Sequence, residues 1–158
     1  MTTATADQVA DYIIWRTHDA GDTLTNLKLQ KLLYYAQAWY LALNGMRLFD
    51  DTFKAWVHGP VNLTTYHRFK ELGWAPILDD IHKPDLDFEL QGHIDNALEV
   101  YSGFSAYQLE LLTHRERPWI EARGSLAPDE RCKEDIKDES MIAYYRELLE
   151  QNDVEEAT

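Results

Sequence analysis

The sequence predicts a mainly α fold: a single compact helical domain of about six or seven helices around a buried central helix, with a small β hairpin or short sheet beside it. Three observations carry this prediction. Residues 26–44 are apolar around most of a helical circumference beyond the first turn, the pattern of a helix enclosed by others. Several other stretches repeat apolar residues at helical spacing between Gly and Pro stops. Alternation of period two is confined to residues 53–57. With 158 residues, 45% of them hydrophobic and 27% charged, the chain can bury one core without covalent staples.

The elements follow in order. A first helix over residues 7–18 puts Val9, Tyr12, Ile13 and Arg16 on one stripe, and Gly21-Asp22 breaks the pattern; residues 1–6 are expected to be flexible. The second helix spans 26–44. Thr25 is its N-cap, Leu24 and Leu29 stand at staple positions, and Gly45 can adopt the left-handed conformation just past the end. Its polar exceptions are Lys28, Gln30, Lys31 and Gln37. After Leu48-Phe49 and a polar Asp50-Asp51 turn, Phe53, Ala55 and Val57 alternate with Lys54 and Trp56, as in short strands. Proline suits the first turn of a helix, so a third helix is expected to begin at Pro60, carry Leu63, Tyr66, Phe69 and Leu72, and stop at Gly73.

Residues 74–86 contain Pro76 and Pro84 and read as a surface loop. Leu90, Ile94, Ala97, Leu98 and Tyr101 mark a fourth helix, ended by Gly103. Ser105 and Gln108 form a capping-box pair for a fifth, running to about His114. Pro118 starts a short sixth with Trp119 and Ile120, and residues 133–137 read as extended. Asp138 can cap a final helix bearing Met141, Ile142, Tyr145, Leu148 and Leu149, with 151–158 as an acidic frayed tail.

Composition narrows the function classes. A net charge of −13 opposes binding to phosphate backbones and steers basic proteins toward the chain. The single cysteine, Cys132, excludes an intramolecular disulfide and any multi-cysteine metal site; within Glu-Arg-Cys-Lys-Glu it reads as a passive surface thiol. The start of the chain lacks the basic and apolar regions of a signal peptide, and no apolar run approaches the ~20 residues that span a bilayer, so a cytoplasmic location without membrane contact is expected. The histidines form no His-x-x-x-His or His-Glu-x-x-His pair, and the Gly-rich phosphate loops and the Gly-x-Ser-x-Gly elbow are missing, so neither metal nor cofactor is expected.

The second helix offers two readings. Lys28 and Lys31, three positions apart, and Gln30 and Gln37, seven apart, share helical faces. Either the lysines are ordinary surface residues of the first turn while the glutamines bond to backbone in the core, or these side chains line a groove beside Tyr34 and Trp56. Among the aromatic residues, Trp56, Trp74 and Trp119 lie in loops or at helix starts and are the better candidates for filling a partner's pocket.

Several blocks occur in one order along the chain: LKLQKLLYYAQAWYLALNG at 27–45, Leu48-Phe49-Asp50, FKAWVHGPV at 53–61, Tyr66, and Phe69-Lys70. They continue with FSAYQL at 104–109, LTHRERPW at 112–119, and KEDI at 133–136 leading to Tyr144-Tyr145. Together they resemble the Panacea domain, also called the SocA-like antitoxin domain or phage-associated GepA-like proteins, over residues 7–150. The resemblance implies a helical domain that acts as the antitoxin of a toxin–antitoxin pair and binds a cognate protein toxin directly, so an enzyme is not expected; the toxin gene is expected in the adjacent reading frame. One branch of the family acts as a proteolytic adaptor, which makes a Clp-type protease a second expected partner, and a homodimer is compatible with the family. Relatives that carry a helix-turn-helix or zinc-binding segment place it before this domain. This chain starts almost directly at the domain, so direct nucleic-acid binding is not expected.

The expected binding surface lies near the start of the second helix and the 58–60 turn, and comprises Lys28, Gln30, Lys31, Tyr34, Trp56, His58, Gly59, Pro60 and Trp119. No catalytic residue set carries over from the family. The rival from another class is a small hydrolase using His58 or His114 with a carboxylate, which requires such a pair within hydrogen-bond reach in a cleft.

Overall fold

A computed structural model describes residues 4–157, with side chains described as far as residue 152. Helix α1 (Ala6–Asp19) begins one residue before the periodicity implied, because Thr5 and Gln8 form a reciprocal capping box. Ala4 is buried, bridges Phe49, and donates its amide to the Leu48 carbonyl at 3.1 Å. Residues 4–6, expected within a flexible N-terminus, are therefore built into the fold; residues 1–3 lie outside the described residues.

Helix α2 (Asn26–Asn44) has the predicted bounds. Thr25 Oγ1 accepts from the Lys28 amide at 3.2 Å, and Gly45 closes the helix at φ 71°. Around it pack α1, α3 (Leu63–Phe69), α4 (Phe88–Tyr101), α5 (Ala106–His114) and α7 (Asp138–Ala157), while α6 (Arg117–Arg123) lies against α7. Leu29, Leu33, Tyr35, Ala36 and Ala38 of α2 are wholly inaccessible to solvent. Enclosure on all sides fits its apolar circumference. The Ser105–Gln108 capping box opens α5 as predicted. Helix α7 continues through Ala157, so residues 151–157, expected as a frayed tail, extend it. No helix among the described residues is long and apolar enough to cross a membrane.

The small sheet is an antiparallel hairpin of β1 (Lys54–Trp56) and β2 (Gly59–Val61), in the register Ala55↔Pro60. Pro60 was expected to start a helix and instead sits in a strand. Its missing N–H costs no ladder bond, because the Ala55 amide points to the Glu134 carbonyl and the Ala55 carbonyl accepts from Arg123. Asn62 then caps α3 by accepting from the Thr65 amide at 3.0 Å, which moves the helix start to Leu63, three residues beyond the proline. The extended segment expected at 133–137 lies along β1, with the Ile136 amide donating to the Phe53 carbonyl at 2.8 Å. The 74–86 loop has no helix or strand, and buried Ile77 pins it through a 2.8 Å bond to the Leu24 carbonyl.

An acid sits inside the core where α2, α6 and α7 meet. Glu116 Oε1 accepts from the hydroxyls of Tyr35 at 2.7 Å and Tyr145 at 2.8 Å, and the Tyr145 and Tyr34 hydroxyls lie 3.2 Å apart. Tyr35 stacks on Tyr101 with centroids 3.9 Å apart. Burial raises the Glu116 carboxyl from an ordinary 4.5 to about 7, although the two tyrosine bonds oppose the rise. The folded state therefore holds this proton more tightly than the unfolded chain. The stabilisation is complete below pH 4.5 and is lost as pH rises through about 7. Glu116→Gln keeps a carbonyl acceptor and removes the titration. Its melting temperature is expected to exceed that of the parent at alkaline pH, by the equivalent of about 3 kcal/mol, and to lose the parent's decline between acid and neutral pH. Parallel pH–stability curves would contradict this assignment.

Candidate partner-binding groove

A groove of about 770 Å³ opens where four segments meet. Asn26, Leu27 and Gln30 from the start of α2 form one wall, and Trp56, Val57, His58 and Val61 of the hairpin form the next. Tyr66, Lys70, Gly73 and Trp74 come from α3 and the turn after it, and Asp129, Arg131, Cys132 and Lys133 from the stretch before α7. Trp74 is 75% exposed, and Trp56 packs edge-on against Tyr66 with centroids 5.0 Å apart.

The walls are held by polar side chains that have no access to solvent. Gln30 accepts from the Asn62 amide at 2.9 Å and donates to Asn26 Oδ1 and Thr65 Oγ1, tying α2 to the start of α3. Lys31 is wholly buried and donates from Nζ to the Pro60 carbonyl at 3.1 Å. Burial pulls this amine down to about 7, against the attraction of Glu110, which favours the charged form. Its stem runs beneath Gly59, where φ is +105° and a Cβ would stand 2.5 Å from Lys31 Cε. Only glycine leaves that space and adopts that conformation without strain. Buried Arg123 binds the Ala55 carbonyl at 2.8 Å and the carbonyls of Ala127 and Glu130, and its guanidinium lies over the Trp119 ring. Trp119 donates from Nε1 to the Trp56 carbonyl at 2.8 Å and stacks on His114.

The expected site residues therefore divide. Gln30, Trp56 and His58 line the groove, with Gly59 and Pro60 buried in the hairpin that forms its wall. Lys31, Tyr34 and Trp119 are interior and shape the surface from behind; Tyr34 sits against Phe53 and Tyr145. Lys28 belongs elsewhere: its Nζ donates to the Ser102 carbonyl at 2.6 Å beside a second hollow lined by Asp19, Asp22, Asp95 and Glu99. The glutamines follow the core reading, for Gln37 too bonds backbone, donating to the Phe49 carbonyl and accepting from the Leu48 amide. Cys132, expected as a surface thiol, is buried at the groove wall. Tyr66, Lys70, Arg131 and Lys133 were not foreseen, because nothing in the local sequence links residues 66–70 to residues 129–133. At the rim, exposed His58 donates from Nδ1 to Glu110 Oε1 at 2.6 Å, which meets the geometric condition set for a histidine–carboxylate pair.

The fold is a helical domain with an aromatic-lined groove, and sequence comparison agrees with the motifs read from the chain. The chain belongs to the antitoxin SocA-like, Panacea domain family, whose model matches residues 29–120. It is similar to antitoxin SocA of Caulobacter vibrioides (strain NA1000 / CB15N), with 29% identity over 127 residues, covering 72% of this chain and 68% of that protein. No solved structure matches the chain.

Two substitutions test the frame. Gly59→Ala meets both the positive φ and the Lys31 stem, so it should destabilise the fold by about 1–3 kcal/mol in denaturant unfolding; an unchanged midpoint would show that the hairpin tip yields freely. Because the Lys31 amine is depressed from 10.5 to about 7, its contribution is complete above pH 10.5 and lost as pH falls through about 7. Lys31→Met should flatten stability against pH across that interval, and a retained slope would assign it to other groups.

Proposed function

We propose that this chain is the antitoxin of a toxin–antitoxin pair and neutralises a cognate protein toxin by binding it directly in the groove between the hairpin, α3 and the 129–133 segment. Membership of the antitoxin SocA-like family supports the antitoxin role, and likeness to a protein named antitoxin SocA supports it further. The observation that carries the choice of surface is Trp74: a large aromatic side chain, 75% exposed, at the mouth of a groove that Trp56 also lines. Exposed tryptophan beside a preformed concavity is the usual anchor of a protein interface. The frame behind the groove is bonded, so little ordering accompanies docking. Binding there would cover the toxin's active surface or hold it in an inactive shape.

The test is growth rescue against the toxin encoded in the adjacent reading frame. Trp74→Ala should weaken toxin binding by about 2 kcal/mol, roughly thirtyfold, while leaving the melting temperature of the free protein unchanged. Full rescue and full affinity in this variant would remove the groove from the reading. Repeating the rescue in a host without its Clp-type protease separates blocking from delivery: persistence supports blocking, and loss supports an adaptor. The His58–Glu110 pair is the one geometric support for a hydrolase. An ester-hydrolysis screen of the purified protein decides it, since turnover abolished by His58→Ala would displace the binding role.

A further inference from the structure

We propose, resting on the docking role given to the groove above, that the groove selects a short acidic segment of the partner, with an apolar side chain of that segment seated against Trp56 and Trp74. The inference comes from where the chain leaves positive charge unspent. Acidic residues outnumber basic ones by 28 to 15. Arg16, Arg47, Lys54, Arg68 and Arg117 each find a carboxylate, and Lys28, Lys31, Arg123 and Arg146 bind main-chain carbonyls. Lys70, Arg131 and Lys133 do neither. All three are exposed, all three line the groove, and none of the three side chains makes a hydrogen bond, ion pair or ring contact with another described residue. Asp129 is the one carboxylate among the described lining residues. A groove carrying three free cations in a molecule of net charge −13 is a local inversion of sign. Potential in a concave site follows the charges on its own walls, focused by the low-dielectric protein behind them.

Charge and size together specify the occupant. The groove, at about 770 Å³, takes a few side chains and not a folded domain. Apolar walls from Trp56 and Trp74 suit one buried anchor, and the cations suit carboxylates flanking it. A nucleic-acid strand fits less well. A phosphate chain leaving the groove would run onto acidic surface, and three cations are too few to hold it there. The −13 charge, which attracts basic proteins at long range, thus acts on a different part of the partner from the part that is gripped.

The probes are fluorescein-labelled peptides of about ten residues with a central Leu: one rich in Asp and Glu, one with Lys at those positions, together with an oligo-deoxythymidine. The acidic peptide should bind and the Lys peptide should not. The triple variant Lys70→Glu, Arg131→Glu, Lys133→Glu, checked for an unchanged melting temperature, should bind the acidic peptide at least about tenfold more weakly at low salt, with the gap narrowing as salt rises. Equal binding of the two peptides, no effect of the triple variant, or tighter binding of the oligonucleotide overturns the proposal. Rescue assays keep the two readings apart. If Trp74→Ala loses rescue and the triple variant keeps it, the groove docks the toxin and the acidic segment is wrong. If Trp74→Ala keeps rescue, the docking role fails, and the peptide titration alone decides what the groove accepts.

Discussion

A helix buried on every side can carry polar groups only if each finds a hydrogen-bond partner, and α2 carries Asn26, Gln30, Lys31 and Gln37 into the interior. Gln30, Lys31 and Gln37 all turn to the same stretch of chain: Gln37 to Leu48 and Phe49, Lys31 to Pro60, and Gln30 to Asn62. Left unpaired, each group would cost about 1–3 kcal/mol or more. That penalty fixes the segment between residues 48 and 62 along α2, and with it the hairpin. Arg123 and Trp119 then bind the hairpin from the other side through the carbonyls of Ala55 and Trp56. The groove is thus the outer surface of a frame whose inner members are bonded main chain to side chain.

This arrangement separates the residues that make the surface from those that present it. Lys31 and Gly59 form a matched pair, since the lysine stem occupies the space that glycine leaves, and neither needs to touch a partner. Trp74, Lys70, Arg131 and Lys133 are the reverse: exposed, bonded to little, and free to differ without disturbing the core.

The main architecture was legible because local rules agreed with each other. Thr25 and Gly45 bracket α2, the Ser105–Gln108 pair opens α5, and apolar periodicity marks α4 and α7. The failures occurred where residue type and environment part company. Pro60 satisfies the preference for a helix start as well as it satisfies a strand position whose N–H is unneeded, and only the register decides between them. Lys31 reads as a surface residue until Gly59, distant in sequence, supplies a channel for its stem. Trp119 and Cys132 lie in charged surroundings in sequence yet are buried: the Arg123 guanidinium lies over the Trp119 ring, and the Cys132 thiol sits against the Ala122 carbonyl. The groove was half visible: His58 and Trp56 came from a motif, whereas Arg131 and Lys133 reach it only through tertiary structure.

The bond between Tyr34 and Tyr145 joins residues 111 positions apart, and α7 is the principal cover of one side of α2. During translation α2 emerges well before α7, the helix that covers it. A chain halted before residue 138 would present the tyrosine-rich side of α2 to chaperones and proteases, because no closer segment can shield it.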